Sequence, residues 1–300
     1  MILGIICGLV SALSQCLAYI SSKKYIHKDG TPFQLLIASH LLIGVFAGLC
    51  LGILLLKKDL PPFKDYWLEV LKVNGFYMFG QMCFFLAIGK TEASRVAPLL
   101  GFKIIFIALF GIMFMELHLS PYQWGAIILC CGGAMLSNWS GKSIPLAGIL
   151  WLLAAIVSYS LSDISIKLLI NCIENSAGKG LLAFLIAVNL TYFYLGIFSL
   201  FIVTITRSVR LKHFKPALPF ACGWFGAMLF LFVCFGLIGP LFGNIVQSVR
   251  GIIAVIIGAI FARFSWTEHE EKLPRKILVG RLMAALLITV SVVIFILTKS

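Results

Sequence analysis

Apolar runs of about twenty residues, set apart by short polar connections, fill this sequence almost end to end. "APLLGFKIIFIALFGIMF", Ala97 to Phe114, is one such run, and "NIVQSVRGIIAVIIGAIF", Asn244 to Phe261, is another. About twenty apolar residues in a helix span the hydrocarbon of a bilayer. Only helices and closed barrels satisfy every backbone group there. A barrel shows segments of about ten residues with alternating polarity, whereas these runs are continuous. The chain is 61% hydrophobic and 12% charged, while a soluble domain keeps about a quarter of its residues charged. The fold class that follows is an all-α polytopic membrane protein.

Placing the runs between their breakers predicts ten spanning helices, at 2–22, 32–56, 70–89, 93–115, 121–139, 145–170, 179–204, 217–238, 240–262 and 277–298. The two halves resemble each other. Residues 4–26 aligned with 148–170 give nine identities in 23 positions, among them Ser14/Ser158 and Lys23/Lys167. "LLIASHL" (35–41) over "FLIAVNL" (184–190) sets His40 opposite Asn189, and 96–114 over 243–261 sets Lys103 opposite Arg250. The offset drifts only from 144 to 149 residues, which one duplication accounts for. The expected domains are a five-helix repeat at 1–140 and a second at 144–300. Five is odd, so the second repeat enters the bilayer inverted, as in many secondary transporters, whose solute site lies at the midplane between repeats.

The net charge of +13 resides in short connections, with no basic domain to hold nucleic acid. Counted by side, the connections after odd-numbered spans carry fifteen Lys and Arg and the opposite side seven. The positive-inside rule then puts both termini outside. It also leaves Asn138 of "NWS" on the cytoplasmic side and Asn189 of "NLT" within a span, so neither is an expected glycosylation site. Met1 is followed directly by Ile2 with no charged leader, and the first span has a counterpart in the sixth, so it reads as structural rather than as a cleaved signal. Nine cysteines lie mostly within apolar runs and none has zinc-ligand spacing, so neither a metal nor any other cofactor is expected. The expected partners are lipid and a small solute, with monomer and homodimer both open. The absence of low-complexity tails and retrieval signals points to a bacterial cytoplasmic membrane.

Lys103 is the eleventh residue of its expected span and Arg250 the eleventh of its counterpart. A cation at the centre of a spanning helix costs about 2.5–3.5 kcal/mol on insertion scales, so it faces a cavity or a partner. Asp163 is the one acid at comparable depth, and Lys167, four residues along the same helix, competes for it. Two midplane cations against one carboxylate attract an anion, with Arg supplying a planar fork for carboxylate or phosphate. Structural pairing of the cations with Asp163 or with helix-end carbonyls is the alternative. Asp163 is also a candidate proton-coupling group.

Around the cations, the sequence offers Gln247 one turn before Arg250, the matched pair His40 and Asn189, and a cluster of Ser11, Ser14 and Gln15 aligned with Ser158, Tyr159, Ser160 and Ser162. Each of these could line a cavity or join helices by hydrogen bonds. Phe76, Tyr77, Phe79, Trp224 and Phe225 could line the cavity, pack in the core or face lipid. A Ser nucleophile elbow, an HExxH motif ("TEHEEK" only mimics it) and a paired intramembrane Asp are all missing from the sequence, so an enzyme is not expected. An anion channel also wants midplane cations and is told apart from a carrier by the lack of saturation and counterflow.

The ten spans, with "APLLGFKIIFIALFGIMFMELHLSPYQWGAIILCCGGAML" over the fourth and fifth, resemble the EamA-type repeat of the drug/metabolite transporter superfamily. In that repeat a Glu ends the fourth helix and a Gly opens the fifth, as Glu116 and Gly125 do here. The connection "FARFSWTEHEEKLPRKILVG" is longer and more charged than the family's usual link. Lys103 and Arg250 are similar in position to the basic residues of the sugar-phosphate/phosphate translocators. Those proteins carry a second basic residue beside the one on helix 9, where this chain has Val249 and Gly251. The resemblance implies alternating access, helices 3, 4, 8 and 9 near the solute, and termini that in many members lie in the cytoplasm. It leaves open an exporter of amino acids or of neutral or cationic metabolites, with Lys103 and Arg250 structural.

Overall fold

The computed structural model describes residues 1–57, 60–88, 100–136, 145–250, 253 and 275–298. Ten α-helices occupy these residues: α1 (Ile2–Lys28), α2 (Pro32–Leu55), α3 (Phe63–Ile88), α4 (Lys103–Met115), α5 (Pro121–Leu136), α6 (Leu146–Ala177), α7 (Leu181–Thr206), α8 (Phe214–Ile238), α9 (Pro240–Gln247) and α10 (Arg275–Leu297). Short 3-10 turns at Leu100–Phe102 and Leu211–His213 lead into α4 and α8. There is no strand among the described residues. Five stretches there are long and apolar enough to cross a membrane: Ile2–Ile26, Pro32–Leu55, Leu146–Ala177, Leu181–Thr206 and Leu211–Ile238. Residues 93–99 of the expected fourth span and most of 251–262 of the ninth lie outside the described residues. So do Lys90, Arg95, Asn138, Lys142, Arg263, Lys272 and the "TEHEEK" stretch.

The helix ends show where hydropathy alone misleads. The third helix begins at Phe63 and not at 70, directly after Pro61–Pro62, because prolines suit the entry to a helix. Its first turns, "FKDYWLE", are too polar to register as a span. The sixth runs to Ala177 instead of stopping at 170, since nothing breaks it before Gly178, whose φ of +81° ends it. The fifth opens at Pro121, where the expected span 121–139 begins, four residues before the Gly125 that the resemblance implied. Ser120 Oγ accepts from Gln123 N at 3.3 Å and Gln123 Oε1 accepts from Ser120 N at 2.9 Å, a reciprocal cap. Thr31 and Gln34 cap α2 in the same way. At the far end of α4, Glu116 adopts the left-handed conformation and Leu117 N donates to Gly111 O at 3.1 Å.

Packing divides the chain into two compact units, Met1–Asn74 with Ser165–Gly239, and Gly75–Ile164 with Pro240–Ser300. Each draws one segment from either half of the sequence, and α3 and α6 run through both.

In the first unit α1 packs along α8 and α2 along α7. The α2–α7 crossing is set by Gly44 and Gly196, where a Cβ on either would lie 2.6 Å from the other's Cα. Gln34 Nε2 donates to Ser208 O at 3.0 Å, which brings the connections after α1 and after α7 to the same end of this unit. Its polarity is that of a protein in oil. Val45, Leu49 and Ile53 are 63%, 65% and 63% exposed, while Ser39, His40, Asn189 and Ser199 are buried. Trp224 and Phe225 pack inside it, with Trp224 Nε1 donating to Tyr192 Oη at 3.2 Å and its ring stacked on Phe220.

In the second unit α10 lies along α5, and α9 touches α4 and α10. Gly133 admits Ile288 and the Ala284 carbonyl, and Ser291 Oγ donates to Ala126 O at 2.7 Å. Ala87 of α3 joins Leu152 and Ile156 of α6, flanked by Phe84, Leu100, Phe102 and Phe106.

Candidate functional site

Among the described residues, Lys103 and Arg250 both lie beside a helix end. Lys103 is the first α-helical residue after the 3-10 turn Leu100–Phe102, so it opens α4 and does not sit in mid-helix. On the other side α9 closes at Gln247, the chain turns at Ser248–Val249, and Arg250 follows directly. Tightening is visible in the hydrogen bonds, with Val249 N donating to Val246 O at 3.3 Å, a three-residue step. Leu100, Gly101 and Phe102 before Lys103 and "NIVQ" before Ser248 lie in runs apolar enough that hydropathy reads both segments as unbroken. Helix breaks at mid-membrane are also where transporters build solute sites.

Lys103 is paired. Its Nζ lies 2.7 Å from Oδ2 of Asp163 on α6, and the side chains are 18% and 10% exposed. The same oxygen accepts from Asn244 Nδ2 at 2.6 Å, and that amide donates also to Pro240 O at 2.8 Å. Ser160 Oγ, one turn before Asp163, donates to Ile156 O at 2.8 Å and to Lys103 O at 3.2 Å, which fixes the start of α4 against α6. Arg250 follows α9, the short helix that packs on α4. Lys103, Asp163 and Asn244 are therefore one polar group within the second unit, with buried Gln247 on the same short helix as Asn244.

The competition expected from Lys167 resolves differently. Its Nζ donates to the carbonyl of Gly236 at 3.1 Å, near the C-terminus of α8, where a cation meets the negative end of the helix. Ser158 and Tyr159 lie in the second unit against α3. A Cβ on Gly80 would meet the Tyr159 ring at 2.9 Å and Ser158 Cβ at 3.3 Å, and the Tyr159 ring centre is 6.4 Å from that of Tyr77. Gln15, His40 and Asn189 are buried in the first unit. Gln15 Nε2 donates to Ser11 Oγ at 3.4 Å and Asn189 Nδ2 to Leu185 O at 2.7 Å.

Asn244 is the residue that sequence reasoning passed over. Its signal was spacing: Asn244, Gln247 and Arg250 recur every three residues in an apolar segment, which places them along one side of a tight helix. All nine cysteines are free, and no cluster of metal-ligating side chains occurs among the described residues.

Comparison with known proteins agrees with this architecture. The model of the EamA-like transporter family matches residues 2–139. A solved protein crystal structure shares the fold with a TM-score of 0.67 over 98% of this chain and 96% of its own, at 12% sequence identity. No curated protein matches the sequence. Over residues 2–139, nearly half its length, this integral membrane chain is similar to the EamA-like transporter family.

Proposed function

We propose that this protein is a secondary carrier that moves a small organic anion, bearing a carboxylate or a phosphate, across a bacterial cytoplasmic membrane by alternating access. The observation that carries the reading is the pair of Lys103 and Asp163 at the start of α4, with Arg250 just past the end of α9, the helix that packs on α4. The sequence sets two cations against one acid within these expected spans, and in a low-dielectric interior such an excess favours an anion. Arg250 offers the two-pronged donor, and Lys103 is a point charge held in place by Asp163. Asp163 is also the acceptor available to a coupled proton.

Helix pairing supports the inverted-repeat reading. In the ten-helix correspondence α2, α4 and α5 match α7, α9 and α10, and each of these three pairs is in contact. The contact of α1 with α8 has its counterpart in that of α6 with α3. Contacts of this kind are what a pseudo-twofold axis generates. A second reading rests on the Lys103–Asp163 pair itself. If the pair is purely structural, the carrier takes a neutral or zwitterionic solute.

Reconstitution into liposomes separates these. A carrier of anions gives saturable uptake and counterflow of small carboxylates or phosphate monoesters, abolished by Arg250→Ala. Current without counterflow identifies a channel. Undiminished transport by the Arg250→Ala protein, or transport confined to neutral solutes, refutes the anion reading.

A further inference from the structure

We infer that one end of the first unit is a docking surface for anionic phospholipids of the bilayer, whose headgroup phosphates it gathers beside the helix ends. Gln34 Nε2 donates to Ser208 O at 3.0 Å, so the connections after α1 and after α7 meet there. Six exposed cations stand on those connections and the flanking turns: Lys24, Lys28, Arg207, Arg210, Lys212 and Lys215. None of the six has an ion pair among the described residues. The acids of this unit lie mostly elsewhere. From this end α2 leads away for 24 residues, about 36 Å, and Asp65 and Glu69 follow in the first turns of α3 at the far end. Glu174, in the last turn of α6 before α7 sets out, lies at the far end too. Asp29 is the one described acid of this unit beside the six cations.

Depth and surroundings identify the partner. Each cation lies within four residues of the end of a spanning stretch, Ile2–Ile26, Leu181–Thr206 or Leu211–Ile238. That is the level of the headgroups, and the four-residue connection from Arg207 to Arg210 is too short to lift its charges clear of it. Next to the cations the surface is apolar. Phe201 and Ile205 of α7 are 61% and 66% exposed, Leu211 between Arg210 and Lys212 is 89% exposed, and Leu218, three residues on from Lys215, is exposed as well. An apolar strip bordered by cations suits a phospholipid, with acyl chains on the strip and phosphate among ammonium and guanidinium groups. A soluble phosphate makes no use of the strip.

Native mass spectrometry of the purified full-length protein in detergent tests this, because it counts bound lipids directly. The probes are dioleoylphosphatidylglycerol and dioleoylphosphatidylcholine, which share acyl chains and differ in net charge, with glycerol phosphate as the soluble headgroup. The wild type is expected to bind the anionic lipid about tenfold more tightly than the zwitterionic one, with the preference shrinking as salt is raised. Arg207→Gln, Arg210→Gln, Lys212→Gln and Lys215→Gln combined, all at exposed positions, are expected to reduce it to about threefold or less. Lys57→Gln, Lys64→Gln and Lys179→Gln combined, at exposed positions of the far end, are expected to leave it unchanged. Should the fourfold variant not fold, Lys24→Gln with Lys28→Gln takes its place, and a lowered preference is again the expected result. A wild type indifferent to headgroup charge, a variant of this end with the wild-type preference, or an equal loss in the far-end variant overturns the inference. Displacement of the lipid by equimolar glycerol phosphate also overturns it, since the surface then takes a free phosphate. None of these results bears on which solute the protein moves.

Discussion

Lys103→Met tests the ion pair at the heart of the second unit. At 2.7 Å, with an effective dielectric of about 20, the gross attraction between Lys103 and Asp163 is about 6 kcal/mol. Much of that is offset by desolvation of both charges, so the pair itself contributes far less. Removing one partner is a different matter, because the desolvation of the other is then uncompensated. Breaking a buried pair costs about 3–5 kcal/mol, and side chains 18% and 10% exposed belong at the lower end of that range. Asn244 still donates to Asp163 in the variant, which also moderates the loss. The expectation is a destabilisation of about 3 kcal/mol, or a fall in the thermal midpoint of about 6–12 °C at about 2–4 °C per kcal/mol. The double variant Lys103→Met with Asp163→Asn removes the stranded charge and is expected to recover to within about 1 kcal/mol of the wild type. The assay is thermal unfolding of the purified protein in detergent, with all variants at one lipid and detergent ratio. A Lys103→Met protein as stable as the wild type, or a double variant no better than the single one, refutes the pairing.

The other expectations concern separate links between sequence and structure. Gly44→Ala places a methyl group 2.6 Å from the Gly196 backbone, which cannot give way as a flexible side chain would. It is expected to cost about 1–3 kcal/mol, whereas Gly52→Ala in the same helix meets nothing within 4 Å and is neutral or slightly stabilising in the same unfolding assay. Ser120→Ala removes the hydroxyl that accepts from Gln123 N and lowers stability by about 1 kcal/mol, with Ser120→Asp restoring it. Asn244→Leu leaves Asp163 with one donor fewer and is expected to reduce solute affinity with less effect on folding than Lys103→Met, read from parallel binding and unfolding curves. Equal losses in both would give Asn244 a purely structural role.

The sequence on its own determined the membrane class, the all-helical fold, and the residues whose charge is out of place in an apolar run. These are matters of solvent: a run of apolar side chains belongs in hydrocarbon wherever its neighbours lie, and a charge within it must have a reason. Lys103, Arg250 and Asp163 stand out on that ground alone. Three-dimensional packing decided what those charges do. Nothing local to Asp163 distinguishes Lys167, four residues away, from Lys103, sixty residues earlier in the chain. Burial of the carboxylate against the start of α4 selects Lys103, while Lys167 finds the end of α8. The same holds for the breaks at Lys103 and Arg250. Hydropathy does not announce a 3-10 turn or an early helix end, because the groups that hold such an end come from elsewhere in the chain, as with Ser160 donating to the Lys103 carbonyl. Partner choice among buried polar groups depends on distances of a few ångströms between helices far apart in sequence, and only the folded chain sets those distances.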